Sequence, residues 1–204
     1  MSLEPRIYLA SKSPRRRELL TQIGVRFDLM LFRGAPREDP ETDETPLPGE
    51  APEVYARRVA LAKALHGERL IGWRKLVPRP VLAADTTLDV DGEIIGKPRD
   101  AADATAILGR LSGRSHRVVT AVALAYGAAS ECIASVSDVR FRDLDAAEIR
   151  RYVTSNEPFD KAGAYGIQGR AAMFVAEIRG SHSGIVGLPL CETALLLRRC
   201  GYPI

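Results

Sequence analysis

Apolar positions recur along this chain with the two-residue period of strands in some segments and the 3.6-residue period of helices in others. Strand-like segments lie at residues 6–10, 27–32, 81–84, 87–90, 93–95, 116–126, 132–141 and 173–178. Helix-like segments lie at residues 14–23, from 52 onward, 101–111, 145–153 and 189–199. Because strands and helices are interleaved, we predict one α/β domain over residues 1–204. We expect a long bent mixed sheet flanked by helices, with two lobes around a central cleft.

Local signals place several of these boundaries. Asp91-Gly92 between two strand-like runs is typical of a type I′ hairpin turn. The helix that begins near residue 52 carries an apolar stripe at helical spacing, and we expect Lys63 to lie near its end. Gly201 is expected to stop the last helix.

Composition and charge narrow the function classes. The chain has 204 residues, 46% of them hydrophobic, and a net charge of +3 that is not gathered in one tail. Stable nucleic-acid binding is therefore not required, and an anionic small molecule fits as well. The three cysteines have no metal-ligand spacing, and no run approaches the roughly 18 apolar residues of a membrane span. We expect a cytoplasmic protein without a membrane segment, either monomer or homodimer.

The stretch after the first strand has an unusual order of charges. Ser13 is a favourable N-cap and Pro14 suits the first helical position, but the first turn then holds Arg15, Arg16 and Arg17. A helix N-terminus is positive and favours acidic residues, so this arrangement is unfavourable for stability alone. It is suited to binding a phosphate or polyphosphate, although a solvated basic surface is the alternative.

Other candidate residues follow strands or lie in glycine-rich segments. Asp85 follows a short apolar strand, where a carboxylate could hold a divalent cation or take a proton from water, or could simply end the strand in an Asx turn. Lys97 and Lys63 are weaker candidates by themselves. Residues 163–169 hold three glycines and Gln168, which offers a donor and an acceptor to a base edge.

Several motifs together resemble the Maf family of nucleoside triphosphate pyrophosphatases, in family order and over nearly the whole chain. They are Leu-Ala-Ser-Lys-Ser-Pro-Arg-Arg-Arg-Glu-Leu-Leu at 9–20, Asp-Glu-Thr-Pro at 43–46, Ala-Lys-Ala at 62–64, Ala-Asp-Thr at 84–86, Gly-Lys-Pro-Arg-Asp at 96–100, Leu-Ser-Gly at 111–113, Asp-Lys-Ala-Gly-Ala-Tyr-Gly-Ile-Gln-Gly at 160–169 and Val-Gly-Leu-Pro-Leu at 186–190. The resemblance implies a fold similar to that of inosine triphosphatases.

The resemblance also implies roles for particular residues. Asp85 would be the catalytic carboxylate, and Asp85 with Glu44 would bind Mg²⁺ or Mn²⁺. The residues implied to bind the substrate phosphates are Ser11, Ser13, Arg16, Lys63, Lys97 and Lys161. The segment 161–169 resembles the branch that acts on dTTP and UTP, whose specificity positions correspond to Arg15, Thr86 and Gln168. Because the stretch before Asp43 is longer than the family pattern, Glu38, Asp39 and Glu41 remain alternatives to Glu44.

These implications combine into one expected reaction. Water would attack the α-phosphorus of a pyrimidine nucleoside triphosphate and release pyrophosphate, in a house-cleaning role with an association with cell-division arrest. Canonical and modified pyrimidine nucleotides remain open as physiological substrates. The alternative is a non-catalytic nucleotide-binding regulator of septum formation, which would need the phosphate socket but not Asp85 and Lys97.

Overall fold

The computed structural model describes residues 5–32 and 42–204. Its strands are β1 (Ile7–Leu9), β2 (Phe27–Leu29), β3 (Val81–Val90), β4 (Glu93–Ile95), β5 (Ser115–Tyr126), β6 (Ala129–Phe141) and β7 (Val175–Arg179). Its α-helices are α1 (Pro14–Gln22), α2 (Pro52–Trp73), α3 (Ala101–Leu111), α4 (Ala146–Val153), α5 (His182–Val186) and α6 (Leu190–Arg199). Short 3₁₀ turns lie at Glu157–Asp160, Ala162–Ala164 and Arg170–Phe174.

The strands form one mixed sheet in the order β2-β1-β3-β5-β6-β7, and β4 pairs with β3 beside this path. β1 is parallel to both β2 and β3, whereas β4, β5, β6 and β7 join by antiparallel pairing. The predicted α/β class, with a mixed sheet flanked by helices, is confirmed.

Helices cover both faces of the sheet. On one face, α2 packs small residues such as Ala56 and Ala60 against Val81 and Ala83 of β3. On the other face, α1 and α6 pack around Leu82 and neighbouring apolar side chains. A third apolar cluster lies around Leu88 of β3, with α3 and α4. Because side chains alternate along a strand, consecutive residues of β3 face different helices.

One edge of β3 is open in its middle. The register of β3 with β1 ends at Leu82, and its register with β4 begins at Leu88. The intervening residues 83–87 are paired with β5 on their other side. The gap leaves a place where groups from both faces of β3 reach the same space.

The strand predicted at 27–32 ends at Leu29, and the one predicted at 173–178 begins at Val175. Two further predicted boundaries, which lie near the cleft, are wrong. β3 continues without interruption from Val81 to Val90, so Asp85 lies in the middle of a strand. Helix α2 extends to Trp73, and Lys63 therefore lies near its centre. Helix α2 continues through Gly67, where an added Cβ would lie 2.7 Å from Val81 Cγ1. This glycine permits close approach of helix to sheet and does not end the helix.

Candidate functional site

A cleft of about 640 Å³ opens at the unpaired edge of β3. It brings together all the site residues that the sequence predicts: Ser11, Ser13, Arg15, Arg16, Glu44, Lys63, Asp85, Thr86, Lys97, Lys161 and Gln168. The alternatives Glu38, Asp39 and Glu41 lie outside the described residues. A volume of several hundred Å³ is typical of a small-molecule site.

Helix α1 begins at the cleft as predicted. Ser13 is the N-cap residue, Pro14 is at the first helical position, and the first turn has no acidic residue. The Ser13 side chain makes no capping hydrogen bond; its backbone N–H instead donates to Ser11 Oγ at 3.2 Å. The hydroxyl of Ser13 and the end of the helix are therefore available to an anion.

The Arg16 guanidinium bonds to three separate parts of the chain. Nε donates to the carbonyl oxygen of Gly187 at 2.7 Å, and the terminal nitrogens donate to Ser11 Oγ at 3.3 Å and to Thr86 Oγ1 at 3.2 Å. Burial lowers the pKa of Arg16, and the charge of Asp85 opposes that shift. These bonds hold one planar cation in the wall of the cleft.

On the other face of β3, Lys63 lies between two carboxylates. Its Nζ is 2.9 Å from Asp85 Oδ1 and 2.8 Å from Glu44 Oε1. The Asp85 and Lys63 side chains are 10% and 13% exposed, so this pair is shielded from solvent, whereas Glu44 is 53% exposed. Shielding makes these charges interact more strongly than a surface pair would.

Side chains of α2 hold the backbone that carries Glu44. Tyr55 Oη donates to the Glu44 carbonyl oxygen at 2.9 Å, and Arg58 donates to the carbonyl oxygens of Asp43 and Thr45 at 3.3 and 3.0 Å. Arg58 also makes a bidentate pair with Glu50, with both distances 2.7 Å, which lowers the pKa of that carboxyl to about 2. The position of Glu44 is therefore set by α2.

The same packing changes the acidity of Tyr55. Burial, reinforced by the nearby charges of Asp85 and Glu44, raises the pKa of Tyr55 to about 12. Its hydroxyl therefore stays protonated and remains a donor to the Glu44 carbonyl at neutral pH.

The donor set at Asp85 and Glu44 suits a hard divalent cation. Both are carboxylate oxygens, and both converge on one cationic atom, Lys63 Nζ. Within the described ranges there is no group of three or more His, Cys, Asp or Glu side chains placed to hold a metal. Mg²⁺ is commonly bound by one or two carboxylates together with substrate phosphates, so this pair fits it.

The opposite wall carries a second set of charges. Asp160 lies 3.5 Å from Arg15 and also pairs with Lys161, whose Nζ donates to the Glu157 carbonyl oxygen at 2.6 Å. Exposed polar groups from two further predicted positions, Lys97 and Gln168, face the cleft without a hydrogen-bond or ion-pair partner among the residues that the structure describes.

Glycines shape the backbone of that wall. Gly163 has φ +72° and donates its N–H to the Gly96 carbonyl oxygen at 2.9 Å, which docks this segment beside Lys97. At Gly166, an added Cβ would lie 2.6 Å from Lys161 Cε. The motif predicted at 163–169 thus consists of glycines that permit close approach within the wall.

Several residues of the site were not identified from the sequence. Tyr55 matches the apolar stripe of α2, and Thr120 lies in an apolar strand, so both resemble ordinary core residues in the printed sequence. Asp160 lies inside the quoted glycine motif, but its contact with Arg15 joins residues far apart in the chain.

Fold and site together define a class of protein. It is an α/β protein whose cleft is large enough for a nucleotide, with the basic first turn of a helix on one side of a strand and a shielded carboxylate on the other. A family model described as Maf-like protein matches residues 6–200. The chain therefore belongs to the Maf-like family.

Curated relatives agree with this membership. A protein of Dechloromonas aromatica, named dTTP/UTP pyrophosphatase, is 61% identical over 197 residues, covering 97% of this chain and 98% of its own. A protein of the same name from Aromatoleum aromaticum is 62% identical over 203 residues, covering 99% and 98%. Another from Burkholderia pseudomallei is 56% identical over 196 residues, covering 95% and 93%.

A solved structure supports the fold. The Staphylococcus aureus Ham1 protein superimposes with a TM-score of 0.53 at 13% sequence identity, covering 95% of this chain and 98% of that one. At that identity the likeness concerns the fold alone. Within residues 5–32 and 42–204, no helix is both long and apolar enough to cross a membrane.

Proposed function

We propose that this chain hydrolyses dTTP and UTP to the nucleoside monophosphate and pyrophosphate. One observation carries the proposal. At the open edge of β3, the Arg16 guanidinium lies in the same cleft as the cluster of Asp85, Lys63 and Glu44. The names of the curated relatives supply the substrate class.

The phosphates would occupy the cationic part of the cleft. Arg16 and the free start of α1 meet phosphate oxygens, helped by the hydroxyls of Ser11 and Ser13. Lys97 and Lys161 approach from the opposite wall. Phosphoryl transfer depends mainly on positioning and on stabilising charge, which is what such a set supplies.

Water would attack the α-phosphorus, and the bond to the oxygen bridging the α- and β-phosphorus atoms would break. Asp85 accepts a hydrogen bond from that water and takes its proton, while Lys63 holds the carboxylate in place. A divalent cation, Mg²⁺ or Mn²⁺, held by Asp85 and Glu44 would supply neutralisation of phosphate charge.

We assign base selection to Gln168 with Arg15, whereas Thr86, the third specificity position that the resemblance implies, bonds to the Arg16 guanidinium. Uracil and thymine share an O4 acceptor and an N3–H donor, which one side-chain amide can complement. The exposed Gln168 amide lies in the wall of the cleft, where such a base could reach it.

The Asp85 cluster favours turnover over a non-catalytic sensor of septum formation, because a sensor needs only the phosphate socket and a base pocket. Pyrophosphate release should be measured with each nucleoside triphosphate and Mg²⁺. Asp85→Asn is expected to abolish release while nucleotide affinity changes little. Activity of this variant within a few-fold of the parent would remove Asp85 from the reaction, and no turnover by the parent would favour the sensor.

The setting of the reaction is also a proposal. We place it in the cytoplasm, with a small-molecule substrate and without a stable nucleic-acid partner. The three cysteines are free thiols. Light scattering of the purified protein would distinguish a monomer from a homodimer.

A further inference from the structure

Thr120 is a buried polar residue in an apolar strand. It is 0% exposed, and its neighbours Val119 and Ala121 are buried and apolar. A buried hydroxyl without partners would be costly, and here it has two. Thr120 Oγ1 lies 2.7 Å from the Gly184 carbonyl oxygen and 3.0 Å from Thr86 Oγ1, its cross-strand neighbour.

The direction of these bonds follows from the available protons. The Gly184 carbonyl oxygen can only accept, and it makes the shorter contact, so the Thr120 hydroxyl donates mainly there. Thr120 Oγ1 is also the donor in its longer contact with Thr86 Oγ1, and Thr86 accepts in addition from the Arg16 guanidinium at 3.2 Å. The result is a connected set of hydrogen bonds that joins Arg16 through Thr86 and Thr120 to the backbone of α5.

The other side of Arg16 is fixed to the same part of the chain. Its Nε donates to the Gly187 carbonyl oxygen at 2.7 Å, one residue beyond the end of α5. The guanidinium is thus tied to residues 184–187 twice, directly and through two hydroxyls. Rotation of the guanidinium away from the cleft would break both connections.

We infer that Thr120 is a positioning residue that fixes the Thr86 hydroxyl and, through it, the Arg16 guanidinium in the orientation that binds the substrate phosphates. This inference rests on the proposed function. Thr120 does not meet the substrate itself, since it is buried behind Thr86.

The test compares Thr120→Val and Thr120→Ser with Thr193→Val. Thr193 is a matched control, because it is also 0% exposed and its hydroxyl also donates to a carbonyl oxygen, that of Pro189, at 2.7 Å. Both valine variants lose a buried hydroxyl bonded to backbone, but only one is connected to Arg16. Turnover of dTTP, UTP and CTP, binding of inorganic pyrophosphate by calorimetry, and thermal unfolding are measured for each.

Thr120→Val is expected to weaken pyrophosphate binding and kcat/KM about tenfold for all three nucleotides, the size of one lost charge-assisted hydrogen bond. Thr120→Ser should restore both, and Thr193→Val should melt earlier without either change. Equal behaviour of the two valine variants, or a change confined to one base, would overturn the inference. An inactive parent would instead refute the proposed function.

Discussion

Gly163→Ala should destabilise the protein, and the structure indicates why. Gly163 has φ +72°, which strains any residue with a Cβ. An added Cβ would lie 2.1 Å from Leu88 Cδ2 and 2.9 Å from Leu88 Cδ1. Leu88 is 2% exposed within the apolar cluster shared with α3 and α4, so its side chain has little room to move.

The magnitude has two parts. A left-handed conformation costs an alanine about 1–2 kcal/mol, and overpacking a core costs about 1–3 kcal/mol. The sum is about 2–5 kcal/mol, which for a chain of this length lowers Tm by about 4–20 °C. Gly109→Ala is the matched control, because that helical glycine has no atom within 4 Å of an added Cβ. It should gain about 0.5–1 kcal/mol.

Thermal unfolding followed by circular dichroism measures these changes. Leu88→Ala, which itself leaves a cavity, removes the atoms that the new methyl would meet. In that background Gly163→Ala should cost about 1–2 kcal/mol, the backbone part alone. A Gly163→Ala protein that melts within about 2 °C of the parent would show that the described backbone at this position is wrong.

Three further predictions concern the cleft and the core behind it. Arg16→Ala should raise KM and lower kcat for every triphosphate, with a loss in kcat/KM equivalent to about 1.5–3 kcal/mol. Arg17→Ala should leave both constants unchanged, because Arg17 lies outside the cleft. A loss for one base only would move Arg16 to the base pocket. Gln168→Glu should weaken dTTP and UTP more than CTP, because it loses the donor to O4 but can accept from the cytosine amino group, and an unchanged ranking in competition assays would contradict this. Burial lowers the pKa of His116 from 6.5 to about 4, so the unfolded chain takes up a proton at a higher pH than the folded protein does. The contribution of the neutral ring to stability is therefore complete above pH 6.5 and falls, by on the order of 3 kcal/mol, as the pH drops to 4. A plot of Tm against pH should be flatter for His116→Gln, and parallel curves for parent and variant would refute the assignment.

The start of α1 and the β3–β4 hairpin were predictable because local rules govern them. Ser13 and Pro14 mark the start of the helix whatever surrounds it. Asp91 and Gly92 have φ of +58° and +86°, as a type I′ turn requires. The backbone conformation at such positions depends mainly on the neighbouring residues in the sequence.

The length of α2 and the continuity of β3 were not predictable in the same way. Polar Asp85 and Thr86 suggested the end of a strand, but Lys63 and Arg16 bond to their side chains and allow the strand to continue. The short α5 and the 3₁₀ turns were not predicted, because segments of so few residues are too short to show a hydrophobic period.

The candidate site was predicted residue by residue, but its connections were not. The family resemblance indicated Glu44, Lys63 and Asp85, yet no pattern showed that Lys63 would lie between the two carboxylates. Tyr55 and Thr120 carry no signal that separates them from packing residues, because their roles arise from bonds across the sheet and from helix to loop.

Side chains alternate between the two faces of β3, so the number of residues in this strand determines which side chain meets which partner. Asp85 faces Lys63 on one side of the sheet and Thr86 faces Arg16 on the other. Deleting one residue between Val81 and Asp85 would shift the phase, so that the Thr86 hydroxyl would take the place beside the Lys63 ammonium and the Asp85 carboxylate would turn to the opposite face of the sheet. Insertions at the Asp91-Gly92 turn leave that phase intact. Related chains should therefore vary in length on either side of β3 but not within it.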